Sequence, residues 1–282
     1  MIESDDQFDI AIIDADSILY QIAYMQPSPA LCRKALDDKL KEIMTNTGSI
    51  NGAIFIKGKD NFRYQVDAAY KGNRKDNIEP EVKDRIDDLY EYCKDFSIQS
   101  DGGEADDYCG IAAELALQDN KRYIVCHIDK DLDCIPGWHY NFRKDTLYYV
   151  EPEDGYRFLM MQILTGDATD NIQGLRGVGP KTAEKLINGV PNNLLWSKVI
   201  DIWIEKCGDN WEPFFLKCAN CIYIRESDED LKPLSFEELK ERLSWKTTDT
   251  GLPSQTDQTT PSDSSMQSLD QLEDNTSEES NL

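Results

Sequence analysis

Two short apolar runs in this chain each stop at an aspartate. Residues 8–13 (FDIAII) end at Asp14, and residues 122–128 (RYIVCHI) end at Asp129. Runs of that length, rich in Ile and Val, read as buried strands. Ala53-Ile54-Phe55-Ile56 is another. Between them lie helical patterns over residues 17–25, 30–44 and 105–117, the second with Pro29 near its start and Gly48 just past its end. Strands alternating with helices predict an α/β domain built on a mainly parallel sheet flanked by helices. In such a sheet ligands gather at the carboxyl ends of the strands, where these acids stand.

From residue 156 the pattern becomes all-helical, with apolar periodicity over residues 156–164, 180–188, 194–206, 212–223 and 235–243. Beyond Trp245 the chain turns to Thr, Ser, Gln, Asp and Pro, a composition that cannot offset its ordering entropy, so 247–282 is expected to be a disordered acidic tail. Within it, MQSLDQL at 266–272 could serve as a short peptide for an unknown protein partner. Mean hydropathy is −0.58, and no apolar run approaches the roughly 20 residues of a spanning helix, so no membrane partner is expected. The opening Met1-Ile2-Glu3-Ser4-Asp5-Asp6 lacks the features of a signal peptide, which predicts a cytoplasmic protein. The eight cysteines are scattered as reduced thiols would be, and Cys218-Ala219-Asn220-Cys221 has no second ligand pair to complete a zinc site.

Thirty Lys+Arg against 54 Asp+Glu give a net charge of −24, and residues 1–246 still carry −16 once the tail's eight acids are set aside. That average argues against a nucleic-acid partner, but the clustering of the charges matters more. Nine carboxylates fall at element ends: Asp14 and Asp16, Glu104, Asp106 and Asp107, Asp129 and Asp131, Asp167 and Asp170. In GGEADD the acids also occupy a helix's first turn, where capping alone would favour them. Taken together, carboxylates converging on one sheet edge repel unless cations neutralise them. All-oxygen ligation selects Mg²⁺ or Mn²⁺. Two such ions roughly 4 Å apart can activate water and stabilise a leaving oxygen in phosphodiester hydrolysis. His127 and His139, the two histidines, fall in no obvious triad.

Locally the charge reverses. Residues 57–75 hold six cations (Lys57, Lys59, Arg63, Lys71, Arg74, Lys75) against Asp60 and Asp67. Tyr70 among Lys71, Arg74 and Lys75 suits stacking on an end base while phosphate is held. Farther on, GLRGVGPKTA at 174–183 resembles a helix-hairpin-helix. Its Gly177 and Gly179 let the backbone approach a phosphate, amides at the helix start donate to it, and Lys181 and Lys185 add charge. Such contacts grip duplex DNA without reading its sequence.

The ordered set IIDADSILY, YKGNRK, GGEADD, HIDKDLD and TGDATDNIQGLRGVGPKTAEKLI resembles the 5′-to-3′ exonuclease and flap endonuclease superfamily, above all the stand-alone exonucleases of tailed bacteriophages. The resemblance spans residues 8 to about 190 and implies a PIN-like nuclease core over 1–165, a helical DNA-binding region with its helix-hairpin-helix over 166–246, and the tail 247–282 outside the family pattern. It implies that Asp14, Glu104 and Asp106 hold a first metal ion, that Asp129, Asp131, Asp167 and Asp170 serve a second, and that Asp106 bridges them. Lys71 and Arg74 would be catalytic cations at the base of an arch or clamp over 71–101 that admits a 5′ end. The hairpin at 174–179 would hold downstream duplex, with a monovalent cation an option in its loop.

One position departs from the pattern. Many relatives carry an aspartate after the second strand, where Ile56 stands here, and Asp16 in the DAD sequence could compensate. The activity implied is Mg²⁺-dependent 5′-to-3′ exonucleolytic hydrolysis of duplex DNA, extending to RNA primers, RNA–DNA hybrids and 5′ flaps in replication. The alternatives are a strictly structure-selective flap endonuclease and a non-catalytic DNA-binding protein.

Overall fold

The computed structural model describes residues 7–74 and 78–246; Lys75, the tail 247–282 and its 266–272 segment lie outside the described residues. Strand β1 (Ile10–Asp14) leads to helices α1 (Asp16–Met25) and α2 (Pro29–Thr47), strand β2 (Asn51–Lys57), the single turn α3 (Arg63–Val66), helix α4 (Pro80–Cys93) and strand β3 (Ile98–Ser100). Helix α5 (Ala105–Gln118) returns the chain to β4 (Tyr123–His127), followed by β5 (Gly137–Asn141) and β6 (Thr146–Val150). Helix α6 (Pro152–Thr165) and a minimal hairpin of β7 (Gly166–Asp167) and β8 (Ile172–Gln173) precede α7 (Pro180–Ile187), α8 (Asn192–Cys207), α9 (Trp211–Ile222) and α10 (Phe236–Leu243).

The six-stranded sheet runs β3-β2-β1-β4-β5-β6, all parallel except the β5–β6 pair. From β1 the chain winds outward through β2 to β3, and α5 then carries it back to β4 on the other side of β1. The strand order therefore reverses between β1 and β4, the place where a crevice opens at the strands' carboxyl ends. Register puts Asp14 opposite Phe55 and Ile13 opposite Cys126, so β1 and β4 deliver Asp14 and the turn after His127 to that crevice.

Alternation along the strands separates two cores. Ala11, Ile13, Ile56, Ile124 and Cys126 pack with residues of α1, α2 and α4, while Ile12, Phe55, Tyr123 and Val125 pack with Ala105, Cys109 and Ala113 of α5. A third core joins α6 through α10 around Met160, Val199, Trp203, Phe215 and Leu239. Each fully buried side chain of this kind contributes about 1.5–3 kcal/mol. Among the described residues no helix is long and apolar enough to cross a membrane.

The expected helices are present, and Gly48 at φ 62° closes α2 as its place past the helix predicts. Leu159, Met160, Ile163 and Leu164 of α6 belong to the helical core. Within 71–101, Val82, Ile86, Leu89 and Cys93 bury one face of α4 in the core shared with α1 and α2, and β3 joins the sheet edge.

Candidate metal and nucleic-acid site

Asp14 is buried at the end of β1 and accepts a hydrogen bond from the Asp16 amide at 3.2 Å. Burial, then the neighbouring charge of Asp16, with smaller repulsion from Asp129 and Glu104, pushes its carboxyl up to about 8. Asp106, on the first turn of α5, is also raised well above the usual carboxylate range, by burial and then by Asp14, Asp129 and Glu104. Beyond β4 a 3₁₀ turn (Lys130–Cys134) bends the chain so that Asp129 accepts from the Asp131 amide at 3.0 Å. Asp131 faces Asp167, and burial, then Asp129 and Asp167, pushes it up to about 7. Four separate stretches thus meet at one edge. Asp129 raises the proton affinity of Asp14, Asp106 and Asp131 alike, so it is felt on both sides of the cluster.

Asp16 turns toward β2. It accepts from the Lys57 amide at 2.9 Å and from the Tyr90 hydroxyl at 2.9 Å, while burial raises its proton affinity. Its carboxylate therefore reaches the end of the strand in which Ile56, only 1% exposed, points into the core. Asp167 and Asp170 are carried by the β7–β8 hairpin. A Cβ on Gly166 (φ 67°) would lie 2.3 Å from the Gly174 nitrogen, so only glycine lets the hairpin close here.

Asp170 joins the basic residues instead of lying bare among the acids. Arg74 and Lys71 both pair with it, and Lys71 also pairs with Glu104. The Lys71 amide donates to the Asp170 carbonyl at 2.8 Å, and Asn73 and Asn171 tie residues 69–73 to 168–171. Tyr70 requires correction as a stacking platform: it is 3% exposed, and its hydroxyl donates to Glu104 at 3.0 Å. Burying so large a ring outweighs offering it to a base. Tyr64, exposed and edge-on to Tyr70, is the aromatic that faces solvent.

Asp107 is also corrected. It is fully buried, takes the Arg63 guanidinium with both oxygens, and accepts from the backbone amides of Glu104 at 2.9 Å and Arg225 at 3.0 Å. Those contacts, chiefly the Arg63 charge, outweigh burial and hold its carboxyl below the usual range, so it has no lone pair to offer a metal. Its role is the helix cap that GGEADD equally allows.

In the 174–183 segment, Leu175 and Val178 are buried while Lys181 and Lys185 are exposed. Gly177 sits at φ 78°, and nothing lies within 4 Å of where a Cβ on Gly177 or Gly179 would stand. The backbone at the start of α7 is open to solvent. Residues that sequence reasoning passed over include Asn61, which donates to Glu104 at 2.8 Å, and Gln162 of α6, which donates to Asp131 at 2.7 Å. Neither belongs to a motif, so no spacing signals them.

No protein-family model matches the chain. Over 155 residues it is 34% identical to a 5′-3′ exonuclease of Buchnera aphidicola, a match covering 49% of this chain and 52% of that protein. It is 32% identical over 161 residues to DNA polymerase I of Bacillus caldotenax, covering 51% of this chain and 18% of that one. The chain thus spans about half, or less, of the curated relatives it matches. Among solved structures, bacteriophage T5 5′-exonuclease bound to divalent metal ions superposes with a TM-score of 0.61 at 17% identity, covering 84% of this chain and 97% of that one. A complex of the T5 flap endonuclease with DNA and metal ions superposes at 0.56 and 14% identity, covering 83% and 97%. In sequence the chain resembles 5′-to-3′ exonucleases, and it shares the fold of their bacteriophage representative.

Proposed function

We propose that this chain is a 5′-to-3′ exonuclease acting on duplex DNA with two divalent ions, Mg²⁺ or Mn²⁺, as cofactors. The observation that carries the reading is the meeting of Asp14, Glu104, Asp106, Asp129, Asp131 and Asp167 at the point where the strand order reverses, with Lys71 and Arg74 at its rim. Carboxylates crowded at one edge, with the proton affinity of Asp14, Asp106 and Asp131 raised, are an oxygen donor set that hard divalent ions fit. Bound there, such ions supply charge neutralisation and Lewis acidity toward a phosphodiester.

The protein's own groups divide the remaining work. Asp14, Asp16, Glu104 and Asp106 would form one half of the donor set, with Asp16 compensating for Ile56; Asp129, Asp131 and Asp167 would form the other. Lys71 and Arg74 present positive charge where a scissile phosphate would enter, and Asp170 positions both. Gln162 and Asn61 fix the orientations of Asp131 and Glu104. The open amides of Gly177 and Gly179, with Lys181 and Lys185, would hold the duplex backbone.

A panel of 5′- and 3′-labelled blunt, nicked, flapped and RNA-primed duplexes, with Mg²⁺ or with chelator, tests this reading. Mononucleotides released from the 5′ end only with metal are the expected result. Intact flaps as the sole product would make the chain a structure-selective flap endonuclease. Asp129→Asn and Asp167→Asn should each abolish hydrolysis while leaving duplex affinity within a small factor; cleavage surviving in both would refute the site.

A further inference from the structure

Behind the turn that carries Asp129 and Asp131, the two histidines meet. His127, the last residue of β4, and His139, in β5, are both buried, with the His127 Nε2 2.7 Å from the His139 Nδ1. Their other nitrogens each face a main-chain carbonyl: His139 Nε2 lies 2.8 Å from the Ile135 oxygen, and His127 Nδ1 lies against the Asp129 oxygen. A carbonyl only accepts, so these outer nitrogens carry the protons. In neutral rings, the two nitrogens that face each other are then both lone pairs.

Two lone pairs aimed at one point inside a protein repel unless a proton or a metal ion lies between them. Asp133 supplies the balancing charge, with its Oδ1 3.9 Å from His127 Nε2. Tyr148 lies stacked on His139, and its hydroxyl is 2.7 Å from Asp133 and 3.2 Å from His127 Nε2. Histidines whose outer N–H groups are fixed by carbonyls have the tautomer and orientation of metal ligands. Two imidazoles and one carboxylate suit a borderline ion rather than Mg²⁺.

We propose that His127, His139 and Asp133 form a Zn²⁺-class site, separate from the carboxylate cluster, that ties β4, the Asp129–Asp131 turn and β5 together. Tetrahedral bonds of about 2.0–2.1 Å require the facing nitrogens to stand about 3.3 Å apart, an opening of about 0.6 Å from the present distance. Tyr148 or a water completes the four ligands. Because His127 also holds the Asp129 carbonyl, an ion here would fasten the backbone of the turn that presents Asp129 and Asp131. The ligand spacing, 127, 133 and 139, matches no paired-histidine motif, so the sequence alone does not reveal it.

Zinc binding by the full chain, measured by equilibrium dialysis with Mg²⁺ in large excess to fill the acid cluster, tests the proposal without any cleavage assay. The wild type should retain one equivalent of Zn²⁺, and Co²⁺ in its place should give the visible absorption of a tetrahedral site. His139→Ala should weaken retention at least tenfold. Asp133→Asn, at a partly exposed position where the fold is not at risk, should weaken it in the same direction with an unchanged circular dichroism spectrum. No zinc retained by the wild type, meaning the rings share only a proton, would overturn the proposal. So would zinc retained equally by both variants, which would place it at thiols or the acid cluster.

Discussion

Removing a charge from the proposed metal site should stabilise the metal-free protein. Asp14 is buried among acids and holds its proton to about pH 8, whereas in the unfolded chain it ionises near the ordinary value of about 3.9. Between those limits the native state binds the proton and the unfolded state does not, so stability falls as pH rises, by about 1.4 kcal/mol per unit. At pH 7 this amounts to at most about 4 kcal/mol, and Asp106 and Asp131 carry part of the same repulsion. Asp14→Asn keeps the oxygen that accepts from the Asp16 amide and removes the charge. In chelator at pH 7 it should gain about 2–4 kcal/mol and flatten the fall in stability with pH. Urea unfolding across the neutral range, with EDTA and then with saturating Mg²⁺, is the assay. With Mg²⁺ the order should reverse, since wild type gains from a bound ion and the variant does not. A variant less stable than wild type in EDTA, or a wild type whose stability is flat from about pH 5 to 8, would refute the convergence of charge.

Three further outcomes test other parts of the site. Asp107→Asn leaves Arg63 buried without its counter-charge and should cost about 3–5 kcal/mol, read as a lower urea midpoint, with the Mg²⁺-dependent gain intact. Lys71→Ala should slow cleavage far more than it weakens duplex binding; equal losses would make Lys71 a binding residue only. Lys181→Ala should weaken binding to all duplex sequences alike and reduce the slope of log affinity against log salt by about 0.9, which a titration across salt concentrations would show.

The sheet and the acids at its edge were legible because both follow from short-range pattern. A buried strand announces itself by composition, and Asp14 closes β1 while Asp129 sits two residues beyond β4. The position of residues 80–93 was not legible. The apolar face of α4 is visible in Val82, Ile86 and Leu89, but its partner helices α1 and α2 lie more than 30 residues upstream, where short-range pattern does not name them. Tyr70 illustrates the same limit. Beside Lys71 and Arg74 it reads as a surface aromatic, yet residues 168–171, a hundred residues later, close over its segment and bury it. β5 was missed because Trp138, His139 and Tyr140 form no apolar run, and that loss concealed the pairing of the two histidines.

Asp106 and Asp107 show how far adjacent residues of one type can diverge. On the first turn of α5 their side chains leave the helix about 100° apart. One direction leads to the crevice beyond β1 and β4, where Asp14, Asp129 and Glu104 raise the proton affinity of Asp106. The other leads beneath α3 and the end of α9, where Arg63 and the Arg225 amide lower that of Asp107. The same two carboxylates thus experience opposite fields, and what separates them is an arginine more than 40 residues upstream and a backbone amide more than 100 residues downstream. The arrangement is also consistent energetically. A first turn that directs one charge into a repulsive cluster is anchored by its neighbour, which caps the helix through the Glu104 amide and pairs with a buried guanidinium. Substituting Asp106 should therefore relieve the metal-free fold, whereas substituting Asp107 should undermine it.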